Sequence, residues 1–227
     1  MAGGYHRPMK PITLTFDNGP TPGVTDAVLD ILADHYVLAS FFVIGEKLRA
    51  RSEAATAVER ACAAGHWIGN HTDTHDTPLG QIEPPDAARA EIIRAQFSLG
   101  AVVHPDKLFR PFGGGGKLGP HLLNEPARDV LTKAGYTCVL WNSIPRDWPG
   151  KGNDPEGWLE RAQAQCRNLD WPLVVLHDIP GACVERLDEF LTWLKSEGYD
   201  IRQDFPDNCI PIRRGEVNSD VMRFLMA

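Results

Sequence analysis

Five short stretches of this chain place chemically able side chains where an apolar run gives way to a turn. Asp17 and Asn18 stand side by side in TFDNGP (15–20), His71 and His75 are four apart in HTDTH (71–75), Arg110 closes KLFR, Asp147 lies in SIPRDW, and His177 closes LVVLH. Two histidines four apart on a helix would share one face and could chelate one divalent ion. A catalytic zinc needs a third protein ligand, and Asn18 and Asp17 are the candidates. His177 could act as a general acid, since an ordinary imidazole titrates near pH 6.5 (about) and can give up a proton at neutral pH. A carboxylate on its other ring nitrogen, such as Asp147, would fix the tautomer and raise the basicity. Arg110 would keep a neighbouring carboxylate ionised. Each residue alone has a plainer reading: surface histidines, a histidine at the core edge, a salt bridge on a rim, a loop acid.

The elements that must carry these residues alternate. Strands are predicted at 11–16, 37–45, 66–70, 107–112, 136–142, 171–178 and 199–203. Helical patterns lie between them. TPGVTDAVLDILADH offers Thr21 as N-cap and Pro22 at the first helical position, and the stretch from Glu46 is rich in Ala, Glu and Arg and stops at Gly65. In the segment from Cys183 to Gly198, Val184, Leu187, Leu191 and Leu194 share one face. Seven strands alternating with helices imply a parallel sheet, and closing it gives a (β/α) barrel. In such sheets function gathers beyond the carboxyl ends of the strands, so all five polar clusters should share one mouth.

With 227 residues and 43% hydrophobic composition the chain suits a single domain over 1–227, with the motifs inside 13–200. Residues 204–227 read as a C-terminal arm that packs on the domain or on a second copy, so a homo-oligomer stays open. A formal charge of −7 argues against nucleic acid as a partner, and no apolar stretch is long enough to span a membrane. Five cysteines form no CxxC pair and no export signal is visible, which together point to the cytoplasm. Gly114 to Gly119 match GxGxxG, but no acidic residue stands about 20 positions on, and Leu118 stands where a phosphate-binding loop needs Ser or Thr. The glycines read instead as a loop that lets backbone approach a ligand closely.

In this order the clusters resemble the motifs of the polysaccharide deacetylase family, carbohydrate esterase family 4 with its NodB homology domain. TFDNGP is similar to the family's TFDDGP, HTDTH to its H-[S/T]-x-x-H, FRPFG to its R-x-P-Y-G, WNSIPRDW to its DW loop and VVLHD to its leucine-histidine motif. The resemblance implies a distorted (β/α) barrel of about seven strands and a hydrolase that removes acetyl groups with a divalent metal, usually Zn2+. It implies Asp17 as the base for the attacking water, His177 as the acid for the leaving amine, Arg110 and Asp147 as their respective partners, and Asn18, His71 and His75 as metal ligands. Trp148 and Val175 would line an acetyl pocket, and a backbone N–H at Phe112 or Gly113 would face the oxyanion.

Three features depart from the pattern. Asn18 replaces the second Asp, so the metal loses a charged ligand, which implies weaker retention and a more electrophilic ion. One residue is missing between Arg110 and the aromatic Phe112, and extra glycines follow. With no export signal, a soluble carbohydrate or small amide is the expected substrate. Hydrolysis of a cyclic imide or ureide, and a silent carbohydrate binder, are the alternatives.

Overall fold

The computed structural model describes residues 9–50, 52–150 and 154–225. Its elements run β1 (Lys10–Asp17), α1 (Val24–Asp34), β2 (Ser40–Val43), α2 (Gly45–Ala50), α3 (Ser52–Ala63), β3 (Trp67–Asn70), α4 (Ala87–Leu99), β4 (Leu108–Phe109), α5 (Glu125–Lys133), β5 (Thr137–Cys138), α6 (Trp158–Asn168), β6 (Leu173–His177), α7 (Val184–Ser196), β7 (Tyr199–Arg202), β8 (Ile212–Arg213), β9 (Glu216–Val217) and α8 (Ser219–Met222). The sheet order is β6-β1-β2-β3-β4-β5-β8-β9, with β7 paired to the first half of β1. All pairings are parallel except β5–β8 and β8–β9. One isolated bridge, Ser143 to Val174, links the chain beyond β5 to β6 and closes a distorted barrel.

Strand β1 shows why the barrel has a polar interior. Side chains alternate faces along a strand. Ile12, Leu14 and Phe16 join the cluster that also holds Val28, Leu32, Leu187 and Leu191 of α1 and α7. Thr13, Thr15 and Asp17 take the other face and are equally buried. Helix α7 packs through Leu187, Phe190, Leu191 and Leu194, the expected face with Phe190 added. Gly65 ends α3 with φ 94°, its N–H donating to Cys62 O while that of His66 reaches back to Ala61 O.

Several local expectations are corrected. Thr21 does not cap α1 with its side chain. The helix begins at Val24 after Gly23 (φ 79°), Asp26 accepts the Gly23 N–H, and the Thr21 carbonyl, not its hydroxyl, accepts the N–H groups of Val24 and Thr25. The extended stretches 107–112 and 136–142 form only two strand residues each, at Leu108–Phe109 and Thr137–Cys138. Residues 204–225 fold back on this chain: β8 pairs with β5, and Phe205, Ile210, Ile212, Met222 and Leu225 enter a second core cluster with Phe109, Leu131 and Leu140.

Candidate active site

Asp17 ends β1 and His177 ends β6, and the two are direct register partners. Both are almost fully buried. Around them lies a cavity of about 310 Å³, lined also by Asn18, His71, His75, Phe112, Gly113, Trp148 and Val175. Every site residue read from the sequence is therefore at one mouth, with Arg110 and Asp147 directly behind it.

Arg110 is completely buried and spends its donors on this site. Nη1 donates to Asp17 Oδ1 at 2.8 Å and to Thr15 Oγ1 at 2.6 Å, Nε to Val139 O at 3.2 Å and Nη2 to Leu140 O at 3.1 Å. Its guanidinium lies 4.0 Å over the Phe42 ring. Burial lowers the Arg110 pKa and the Asp17 charge opposes that, a pairing that fixes the carboxylate in one orientation. It is not a rim salt bridge.

Asp147 clasps His177 twice. Its Oδ1 accepts from Nδ1 at 2.7 Å and its Oδ2 from the His177 backbone N–H at 2.8 Å. A carboxylate only accepts, so Nδ1 carries a proton and Nε2 is the site that exchanges one. Burial by itself would lower this pKa; the charge and hydrogen bond of Asp147, with Asp17 and Asp178, outweigh it and hold it above the ordinary value. Trp148 packs edge-on against the imidazole at 4.8 Å between ring centres.

The histidine pair is brought together by a loop, which corrects the helical reading of HxxxH. Residues 71–75 are irregular, with Thr72 at φ 68° and His75 at φ 59°, and the two rings are 5.0 Å apart between centres. Phe112 stacks on His75 at 3.7 Å. His71 Nδ1 donates to Arg110 O at 2.8 Å, which leaves Nε2 with the lone pair, 3.7 Å from Asp17 Oδ2. Burial lowers the pKa of both histidines to about 3, so His71 and Asp17 are not an ion pair; neutral imidazole is the ligating form.

These residues fit a divalent cation. Asn18 Oδ1 is buried with no hydrogen-bond partner among the described residues, and Asn18 lines the cavity together with His71 and His75. Among those residues no group of three or more His, Cys, Asp or Glu is arranged to hold a metal.

Sequence reasoning missed Glu91, which shapes the histidine loop. Its Oε2 accepts the N–H groups of Asp73 and Thr74 at 3.1 and 2.9 Å and the Thr74 hydroxyl at 3.2 Å. The signal was available: Glu91 falls among Ala88, Ile92 and Ala95 on the buried face of α4. Trp141, Ile144 and Ile179 also line the cavity, and Trp141 Nε1 donates to Gly116 O at 2.7 Å. The glycine loop has positive φ from Gly113 to Gly116, and a side chain at Gly114 or Gly116 would strike His121 or Ile144.

The family model for polysaccharide deacetylases matches residues 4–139, more than half of the chain. The chain belongs to the polysaccharide deacetylase family. It is 31% identical over 195 residues to the peptidoglycan-N-acetylglucosamine deacetylase of Bacillus cereus, covering 84% of each chain. It is 37% identical over 146 residues to the chitooligosaccharide deacetylase of Rhizobium leguminosarum bv. phaseoli, covering 62% of this chain and 58% of that relative. Another chitooligosaccharide deacetylase, from Bradyrhizobium, is likewise covered over only 62% of its length. Among solved structures of polysaccharide deacetylase fold, the Bc1960 peptidoglycan N-acetylglucosamine deacetylase superposes with a TM-score of 0.70 at 26% identity, covering 86% of both chains. A family 4 carbohydrate esterase from Streptomyces lividans gives 0.69 at 25% identity, covering 88% of this chain and 96% of that one. Asp147 and His177 lie beyond the stretch that the family model matches.

Proposed function

We propose that this polysaccharide deacetylase homologue hydrolyses the acetamide of an N-acetylated carbohydrate, releasing acetate and a free amine. The observation that carries the reading is the register pairing of Asp17 with His177, each backed by its own buried partner, Arg110 and Asp147. An acid and a base with opposite supports are what amide hydrolysis requires, because a proton must leave water and another must reach nitrogen.

Asp17 takes a proton from the attacking water as its oxygen bonds to the acetyl carbon. Arg110 holds the Asp17 carboxylate aimed for that transfer. The C–N bond then breaks, and His177 gives its Nε2 proton to the departing nitrogen while Asp147 holds the ring. Trp148 and Val175 enclose the acetyl methyl, and a backbone N–H at Phe112 or Gly113 faces the carbonyl oxygen as it gains charge. A divalent cation, for which zinc is our choice, would be held by His71, His75 and Asn18 and would supply Lewis acidity and a more acidic water.

The test is release of acetate and free amine from N-acetylglucosamine oligomers, with cyclic imides assayed alongside. Asp17→Asn and His177→Ala should each lower turnover by at least about 10²-fold with the fold intact, since general acid–base catalysis contributes roughly 10²–10⁴-fold. Turnover of cyclic imides alone would move the reaction to that class. Sugar binding without any turnover would make this a silent binder, as the loss of charge at Asn18 allows.

A further inference from the structure

Residues 44–49, which follow β2, touch both stretches that supply the candidate ligands, through bonds the proposed reaction does not use. The Ile44 N–H donates to Gly19 O at 3.0 Å, that of Gly45 to Thr72 O at 3.0 Å and that of Glu46 to Asp73 O at 2.9 Å. Lys47 Nζ donates to Asn18 O at 2.6 Å. Arg49 makes two parallel bonds to the buried Asp73 carboxylate, at 2.7 and 2.9 Å. The Asn18 turn and the His71–His75 loop are thus fastened to the same six residues.

Both stretches need fastening. Asn18, Thr72 and His75 all have left-handed backbone, at φ 72°, 68° and 59°, where residues other than glycine are uncommon. With the Asn18 amide oxygen unpartnered, no hydrogen bond to that oxygen fixes its direction; the backbone must. On the far side of the turn, Gly19 lies against Asp178, whose Oδ2 would stand 1.9 Å from any Cβ there. Asp178 is held by the Thr25 hydroxyl at 2.6 Å, and Thr25 in turn accepts the Thr21 N–H at 2.8 Å. At Gly45 a Cβ would meet both the Ala95 backbone and the Asp73 carboxylate at 2.6 Å, so only glycine lets the segment sit this close. Lys47 is half-buried, and burial pushes its pKa down against the charges of Asp178 and Glu46.

We propose that residues 44–49 are a positioning bracket for a divalent-cation site, with Lys47 setting the Asn18 carbonyl and Arg49 the Asp73 carboxylate. Through it the Asn18 amide and the imidazoles of His71 and His75 are held to one point. The proposal rests on reading those three residues as ligands. Groups that orient ligands raise affinity without touching the ion, so a rigid bracket offsets part of what an uncharged ligand loses.

The test is a Zn2+ titration against a competing chelator for the wild type, K47M, K47R, R49M and N18A. Thermal unfolding of each metal-free protein serves as control, and the visible spectrum of each Co2+ form as a signature. K47M and R49M should bind Zn2+ about 10–100-fold more weakly, as for other residues that orient ligands, and R49M, which leaves the buried Asp73 carboxylate unpaired, should also lower metal-free stability. K47R should regain part of the affinity with a displaced Co2+ spectrum, because a planar fork cannot reproduce an ammonium bond of 2.6 Å. If N18A is weakened while K47M and R49M match the wild type, the bracket is overturned and the ligand reading stands. If N18A matches the wild type, the ligand reading itself fails. Should a methionine variant unfold without metal, K47R decides: wild-type affinity and spectrum overturn the proposal.

Discussion

Replacing Asp147 with Asn changes a charge and almost no volume, at a residue with no solvent exposure. An amide has one acceptor oxygen, whereas Asp147 accepts two bonds from His177, from Nδ1 at 2.7 Å and from the backbone N–H at 2.8 Å. One of those donors must then face an NH2 group. The bond to Nδ1 is the one that favours the imidazolium, and a hydrogen bond to a charged group contributes about 1.5–3 kcal/mol. At 1.36 kcal/mol per pH unit, about 1–2 units of the alkaline limb should be lost. The sign follows from the raised His177 pKa: the proton is held below that value and lost as pH climbs through it, so weaker support moves the edge down. The assay is kcat/KM against pH for the wild type and Asp147→Asn, with the His177 ring nitrogens titrated by NMR in both. His177→Ala should remove the same limb. A folded Asp147→Asn protein whose alkaline limb and His177 titration stay in place would refute the reasoning.

Three further outcomes are expected. Asn18→Asp should tighten Zn2+ by more than a factor of a few, because an anionic ligand replaces a dipole at a position whose left-handed backbone Asp also tolerates; a chelator competition showing equal or weaker affinity removes Asn18 from the ligand set. Glu91→Ala should strand the Asp73 and Thr74 N–H groups at about 1–3 kcal/mol each, lowering Tm by roughly 4–24 °C and weakening metal binding, and calorimetry with no such drop would show that the loop holds itself. Burial raises the Asp178 pKa to about 6 from 3.8, so its contribution to stability is full below the lower value and falls as pH rises through the higher. Urea unfolding should therefore show Asp178→Asn gaining about 3 kcal/mol on the wild type between pH 4 and 7, and a pH-independent difference would contradict it.

The strand-end rule located the site because it depends only on alternation, which TFDNGP and LVVLHD display plainly. The helices were legible for the same reason, though their caps were not: Thr21 leaves α1 uncapped by its side chain, while Asn124 caps α5 through the Ala127 N–H. What sequence hid was non-local. HTDTH has helical spacing, yet it is bent into a loop by Glu91, whose carboxylate arrives from a later helix. Stretches 107–112 and 136–142 are extended and apolar, but the Val139 and Leu140 carbonyls go to Arg110 and the Leu140 N–H to Cys209 O, so the ladder stops after two residues. Its strand-end position and the family resemblance offered Asp147 as the partner of His177, but the double clasp to ring and backbone needed the fold.

The isolated bridge at Ser143 makes the barrel a ring with a latch. Among the described residues two backbone bonds close it, from Ser143 N–H to Leu173 O and from Val175 N–H to Ser143 O, helped by the Asn142 side chain. Four residues further along each bank, or fewer, stand Asp147 and His177, and their clasp is the next tie across the same gap. His177 is thus a structural stitch as well. Whatever opens the joint separates His177 from Asp147, and whatever strengthens that pair tightens the ring. Slow amide exchange at Leu173, Val175 and His177 would therefore report opening of the closure and of the Asp147–His177 clasp together.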